Sequence, residues 1–156
     1  MQKIFLVGLP GSGKTTMGLN LAHHLNLQFI DLDLEIEKHE NRTIQSIFKT
    51  DGEFFFRQLE KKYLEKFIDN QHAFVLATGG GTPCFFENMK KMKREGLTIW
   101  INTAISTIRK RLRNDHSRPL LQENSLEDLQ GKRKKYYAQA EKKVEDYEGL
   151  LTIFSK

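Results

Sequence analysis

A chain of 156 residues and 18.2 kDa, 38% hydrophobic and 29% charged with mean hydropathy −0.55, has material for one globular domain. Its 11 glycines and 3 prolines exclude collagen-like and low-complexity chains, and no apolar run approaches the ~20 residues of a membrane helix. The only cysteine, Cys84, permits no intrachain disulfide and suits a cytoplasmic setting, while a net charge of +5 suits nucleic acid and small anions equally.

In chain order, Lys3 to Leu9 reads as a buried strand entering a glycine-rich turn, and the short apolar start is expected not to be a signal peptide. Thr15 to Leu25 reads as a helix with Met17, Leu21 and Leu25 on one face. Phe29 to Leu32 is a second strand. Leu34 to Asn70 is helical and charged, with a break at Asp51-Gly52. Ala73 to Ala77 is a third strand ending at Gly79-Gly80-Gly81, Phe85 to Arg94 is helical and stopped by Gly96, and Leu97 to Ile101 is a fourth strand. Ile105 to Arg113 is helical and Asn114 to Asn124 is a polar loop. Ser125, with Asp128 three residues on, caps a further helix. Leu150 to Phe154 reads as a last strand or a short helix. Apolar strands separated by helices predict βαβ units and a mainly parallel sheet covered on both faces.

The strongest motif is Gly8-Leu9-Pro10-Gly11-Ser12-Gly13-Lys14-Thr15, which matches G-x-x-x-x-G-K-S/T between a strand and a helix. Glycines let backbone N–H groups curl around phosphate oxygens, and the helix N-terminus adds positive charge. Lys14 can reach the β- and γ-phosphates, and the Thr15 hydroxyl can ligate Mg²⁺. The motif implies ATP or GTP without naming an acceptor.

Asp31-Leu32-Asp33 ends the second predicted strand, which would put both carboxylates on one face at the sheet's C-terminal edge. One can hold Mg²⁺ through water and the other can accept a hydroxyl proton; a helix N-cap pair before Leu34 is the alternative. Arg57, beside Phe54-Phe55-Phe56, can bind a carboxylate bidentately against an apolar wall, or can form a surface pair with Glu60. Thr78-Gly79-Gly80-Gly81-Thr82 implies close approach of backbone to something, or a plain turn. Arg118-Pro119-Leu120-Leu121 follows a helix with Arg109, Lys110, Arg111 and Arg113; its arginine can close over a transferring phosphoryl group or stay solvated. Lys132-Arg133-Lys134-Lys135 is an RNA patch or, for its lysines, a solvated helix face.

In order, GLPGSGKT (8–15), DLD (31–33), IF…DGE…FR..E (47–60), GGG (79–81), RPLL (118–121) and Arg133 with Tyr137 resemble the shikimate kinase family over nearly the whole chain. The resemblance implies a P-loop kinase of the nucleoside-monophosphate-kinase type: a three-layer αβα sandwich on a five-stranded parallel sheet. It would form one domain over 1–156, with substrate-binding helices at about 33–61 and a mobile lid at about 112–124. The implied reaction is Mg²⁺-dependent transfer from ATP to the 3-hydroxyl of shikimate, in chorismate and aromatic amino-acid synthesis. By position Asp33, Phe48, Phe56, Arg57, Gly79, Gly80, Gly81 and Arg133 would hold shikimate. Gly11, Ser12, Gly13, Lys14, Thr15, Thr16, Arg111 and Arg118 would hold ATP, with Arg111 against adenine. Lys14, Asp33 and Arg118 would be catalytic, and Thr15 and Asp31 would position Mg²⁺, Asp31 through water. The implied partners are small molecules, with no nucleic acid, no membrane and a monomeric chain.

Two segments depart from the family pattern. Lys135 stands where proline is usual, and a shift by one would pair Lys132 with Tyr136 instead of Arg133 with Tyr137. After Tyr137 the tail is short, and Lys142 to Asp146 is too charged for an obvious strand, which leaves the family's last strand and terminal helix open. A gluconate kinase, a nucleoside monophosphate kinase and a non-catalytic ATP-gated nucleic-acid-binding module are the rival readings. The aromatics cluster at Phe54 to Phe56 rather than among Lys132 to Lys135, which disfavours the last.

Overall fold

The computed structural model describes residues 2–113 and 125–155. Five strands form one parallel sheet: β1 (Lys3–Val7), β2 (Gln28–Asp31), β3 (Phe74–Ala77), β4 (Leu97–Ile101) and β5 (Lys142–Val144), in the order β2-β3-β1-β4-β5. The helices are α1 (Lys14–Leu25), α2 (Leu32–Glu40), α3 (Ile44–Asn70), α4 (Asn88–Glu95), α5 (Ile105–Leu112), α6 (Leu126–Tyr137) and α7 (Tyr147–Phe154), with a 3₁₀ turn at Thr82–Cys84. The sandwich and the parallel five-stranded sheet expected from the sequence are both present.

Both sheet faces are covered, so alternate residues of the central strand enter different cores. Phe5 and Val7 pack with Ile30, Leu76, Trp100 and Tyr137 on one face, whereas Ile4 and Leu6 pack with Leu21, Val75, Ile99 and Leu150 on the other. All four central-strand residues are fully buried, which is why Lys3 to Leu9 reads as continuously apolar.

Two expectations need correction, Asp33 on a strand and a helix starting at Phe85, and two open ones are resolved. Asp33 is not on a strand: β2 stops at Asp31, whose carboxylate accepts the Leu34 N–H (3.1 Å) and caps α2. Leu32 therefore opens a helix, and Asp33 lies in its first turn. The charged segment after Tyr137 does form the fifth strand. β5 is a three-residue edge strand that buries only Val144, and Lys143 lies over the Trp100 ring. Leu150 to Phe154 is helix, not strand, so the family's last strand and terminal helix both exist here. The expected helix from Phe85 starts only at Asn88, after the 3₁₀ turn.

The break at Asp51-Gly52 is a kink within α3, where Gly52 takes φ 87° inside otherwise helical backbone. The Ser125 cap is present, its hydroxyl accepting the Asp128 N–H (3.1 Å). Among the described residues, no helix is long and apolar enough to cross a membrane.

Candidate active site

The C-terminal strand ends face a cleft of about 900 Å³, where ligands of open parallel sheets bind. The glycine loop between β1 and α1 forms one part of it. Gly13, with φ 102°, turns the chain into α1. Lys14, nearly buried, donates from Nζ to Gly8 O (2.7 Å) and Leu9 O (2.8 Å). Thr15 Oγ1 donates to Asp31 Oδ2 (2.7 Å), so the α2 cap and the phosphate loop meet at a hydroxyl–carboxylate pair. Arg111 reaches back from α5 to donate to Gly11 O (3.1 Å).

A second cluster is built from α3, the glycine run and α6. Arg57 is 4% exposed; its Nη1 donates to Glu60 Oε1 (2.7 Å), and its Nε and Nη2 both donate to Glu53 Oε2 (3.2 and 3.0 Å). Glu60 is 1% exposed, and its other oxygen accepts from Thr82 Oγ1 (2.6 Å). Phe85 lies 4.3 Å from the guanidinium carbon. Burial pulls the Arg57 pKa down, but Glu60 and Glu53 outweigh it and leave the group above its ordinary value, firmly cationic. Phe48 and Phe56, with ring centroids 5.0 Å apart, supply an apolar wall.

The three glycines are explained by what they face. A Cβ on Gly79 would stand 2.8 Å from Asp33 Oδ1 and 2.9 Å from Glu60 Oε2. On Gly80 it would stand 2.9 Å from Arg133 Nη1, and on Gly81 2.6 Å from both terminal nitrogens of Arg57. Any side chain would displace the charged groups that line the cleft. The glycine run is anchored by Thr78, which donates from N (3.1 Å) and Oγ1 (2.9 Å) to Leu6 O.

The cleft therefore gathers Gly11, Gly13, Lys14, Thr15, Thr16, Asp31, Asp33, Phe48, Phe56, Arg57, Gly79, Gly80, Gly81, Arg111 and Arg133. Ser12 does not line it: its side chain is fully buried, and its carbonyl accepts from Thr103 Oγ1 (2.6 Å). Arg118 and residues 114–124 of the expected lid lie outside the described residues. Of the two register alternatives, Arg133 is buried and lines the cleft, whereas Lys132 is exposed. Among the described residues, no group of three His, Cys, Asp or Glu is arranged to hold a metal ion.

Sequence reasoning missed the Glu60–Thr82 bond and Tyr147. The first joins positions 22 apart that no local pattern pairs. Tyr147 lines the cleft from the first turn of α7, a helix the sequence left open. Cys84 sits beneath the cluster; burial pushes its thiol up to about 11, although Arg133 and Arg57 pull the other way.

Comparison with known proteins bears on this arrangement. The shikimate kinase family model matches residues 10–153. A shikimate kinase of Persephonella marina is 45% identical over 92% of this chain and 88% of its own length. Among solved structures, shikimate kinase from Acinetobacter baumannii in complex with shikimate superposes with TM-score 0.92 at 34% identity, covering 99% of this chain and 93% of that one. The Bacteroides thetaiotaomicron shikimate kinase gives TM-score 0.85 at 36% identity, covering 94% of this chain and 87% of that one. A gluconokinase from Sinorhizobium meliloti shares the fold alone, with TM-score 0.51 at 14% identity. With sequence, fold and near-full coverage agreeing, this chain belongs to the shikimate kinase family.

Proposed function

We propose that this chain transfers the γ-phosphoryl group of ATP to the 3-hydroxyl of shikimate, giving shikimate 3-phosphate and ADP in chorismate and aromatic amino-acid synthesis. One observation carries the reading: a single cleft is lined by both the phosphate-loop residues Gly11, Gly13, Lys14 and Thr15 and a pair of nearly buried arginines, Arg57 and Arg133. Nucleotide phosphates and a carboxylate-bearing alcohol are the ligands that these two parts suit.

In this reading Gly11 to Thr16 receive the phosphates, and Arg111 and Tyr147 flank the adenine. Arg57 and Arg133 take the shikimate carboxylate, Phe48 and Phe56 wall the ring, and Asp33 orients the reacting hydroxyl and accepts its proton. Lys14, with Arg118 from the lid, stabilises charge on the transferring group. Phosphoryl transfer through a loose transition state asks more for alignment than for a strong base, so an ordinary carboxylate at Asp33 suffices. The α2–α3 segment at about 33–61 acts as the substrate-binding part and residues at about 112–124 as the lid.

Mg²⁺ fits the oxygen pair Thr15 Oγ1 and Asp31 Oδ2, because that ion keeps several waters and takes its remaining ligands from phosphate. When bound, it neutralises charge building on the β- and γ-phosphate oxygens. Both substrates are anions, which gives the +5 net charge a use without nucleic acid or a membrane; the chain works as a monomer in the cytoplasm. A coupled ADP-release assay with shikimate, gluconate and AMP offered separately tests the reading. Turnover with shikimate alone is expected; faster turnover with gluconate or AMP would overturn it.

A further inference from the structure

Tyr137 has no part in the chemistry above, yet it is among the most buried large side chains, fully enclosed beside Trp100 (ring centroids 5.9 Å apart). Its hydroxyl donates to Gly80 O at 2.6 Å. A carbonyl can only accept, so the phenolic proton points at Gly80. Arg133 lies four residues earlier on the same face of α6, and its guanidinium reaches the same glycine. Arg133 Nη1 in turn packs so close to Gly80 that a Cβ there would stand 2.9 Å away. Phenol and arginine thus meet at Gly80, one bonded to its carbonyl and the other packed against its α-carbon, in a joint at the wall of the cleft.

We propose that Tyr137 is a positioning residue whose hydroxyl fixes the Gly80 peptide against which the Arg133 guanidinium packs, so that the arginine meets the substrate carboxylate already oriented. The reasoning is one of preorganisation. An arginine has several rotatable bonds, and those fixed before binding need not be fixed by the ligand. Phenylalanine at 137 would keep the ring packing and delete only the oxygen, leaving Gly80 O without that partner and the surface behind Arg133 free to shift. The inference rests on the functional reading in one respect, that the ligand carries a carboxylate as shikimate does.

The test is calorimetric titration of wild type, Tyr137→Phe, Arg133→Ala and the double variant with shikimate, shikimate carboxamide and ADP. Tyr137→Phe is expected to weaken shikimate by about fivefold, the size of one hydrogen bond, and leave ADP unchanged. The carboxamide, which lacks the charge that Arg133 recognises, should lose much less. In the Arg133→Ala background the Tyr137→Phe step should change shikimate binding by less than about 1.5-fold, because the two act as one unit. A purely structural lesion would weaken shikimate, carboxamide and ADP alike and would multiply with Arg133→Ala; that pattern, or unchanged shikimate binding, overturns the proposal. Should Tyr137→Phe melt below the assay temperature, the wild-type hydroxyl proton of Tyr137, followed by NMR, replaces it. That resonance should move with shikimate and not with ADP, and an unmoved resonance refutes the joint. If wild type takes up no shikimate, the functional reading fails and this inference with it; if wild type binds and Tyr137→Phe binds equally, only the inference fails.

Discussion

Replacing Arg57 by alanine should damage two properties at once, and by different amounts. Arg57 and Glu60 are 4% and 1% exposed, so truncating the arginine strands a buried carboxylate that keeps a hydrogen bond from Thr82 but no cationic partner in this cluster. Removing one partner of a buried ion pair costs about 3–5 kcal/mol, a large share of the ~5–15 kcal/mol that holds a typical domain together. Glu53, whose side chain is 42% exposed, adds little because water screens it. In urea the expected cost lowers the unfolding midpoint by about 2 M. Adding Glu60→Gln removes the stranded charge and should recover at least about half of the loss. Binding should separate from stability: shikimate loses a charge-assisted partner worth about 1.5–3 kcal/mol, or roughly 10- to 150-fold in affinity, while ATP changes little. Arg57→Lys should rescue shikimate binding only in part, since a point charge cannot reproduce the fork. Chemical denaturation and calorimetric titration of the four proteins supply the numbers. A stability loss below about 1 kcal/mol, no rescue by Glu60→Gln, or equal losses for both ligands would refute this account of the cluster.

Lys14→Met should lower turnover at least about a hundredfold with the fold intact by melting, because it removes positive charge where the transition state develops negative charge; near-normal kcat would contradict the role. Asp31→Asn keeps a good helix cap but loses charge beside Thr15, so steady-state kinetics should show a higher Mg²⁺ requirement with shikimate KM little changed. Asp33→Asn should instead cut kcat and raise shikimate KM at unaltered Mg²⁺ dependence; swapped or identical profiles would disprove the division. The Tyr63 phenol, hydrogen-bonded to Glu40 Oε2 (2.6 Å), is pushed up from 10.0 to about 12, first by that bond and then by burial. Between those values the unfolded chain has lost a proton that the folded chain keeps, so this contribution is whole below pH 10 and stability falls as pH rises toward 12. Urea midpoints across that range should fall more steeply for wild type than for Tyr63→Phe, and parallel slopes would exclude the effect.

What could be read from the sequence depended on how local each signal is. The phosphate loop, the Ser125 cap and the Gly52 kink each depend on a few neighbouring residues, and each appears where expected. β5 was obscured because a three-residue edge strand with two lysines shows neither an apolar run nor an alternation. The spacing that suggests a strand at Asp33 looks the same whether the chain continues as strand or caps a helix; the Leu34 N–H to Asp31 Oδ1 bond decides it. Arg57 was legible as a carboxylate binder, but its burial between Glu60, Phe85 and Gly81 arises only when α3 meets the glycine run. The three glycines promised close approach, and only the fold reveals that the approaching groups are Asp33, Glu60, Arg133 and Arg57.

The central claim is the identity of the phosphorylated hydroxyl, and ³¹P NMR of the reaction with ATP, Mg²⁺ and shikimate tests it most directly. The account predicts one new monoester phosphorus, coupled to the proton on C3 of shikimate and growing in step with ADP. No new monoester, coupling to another ring proton, or an equal yield from gluconate would contradict it.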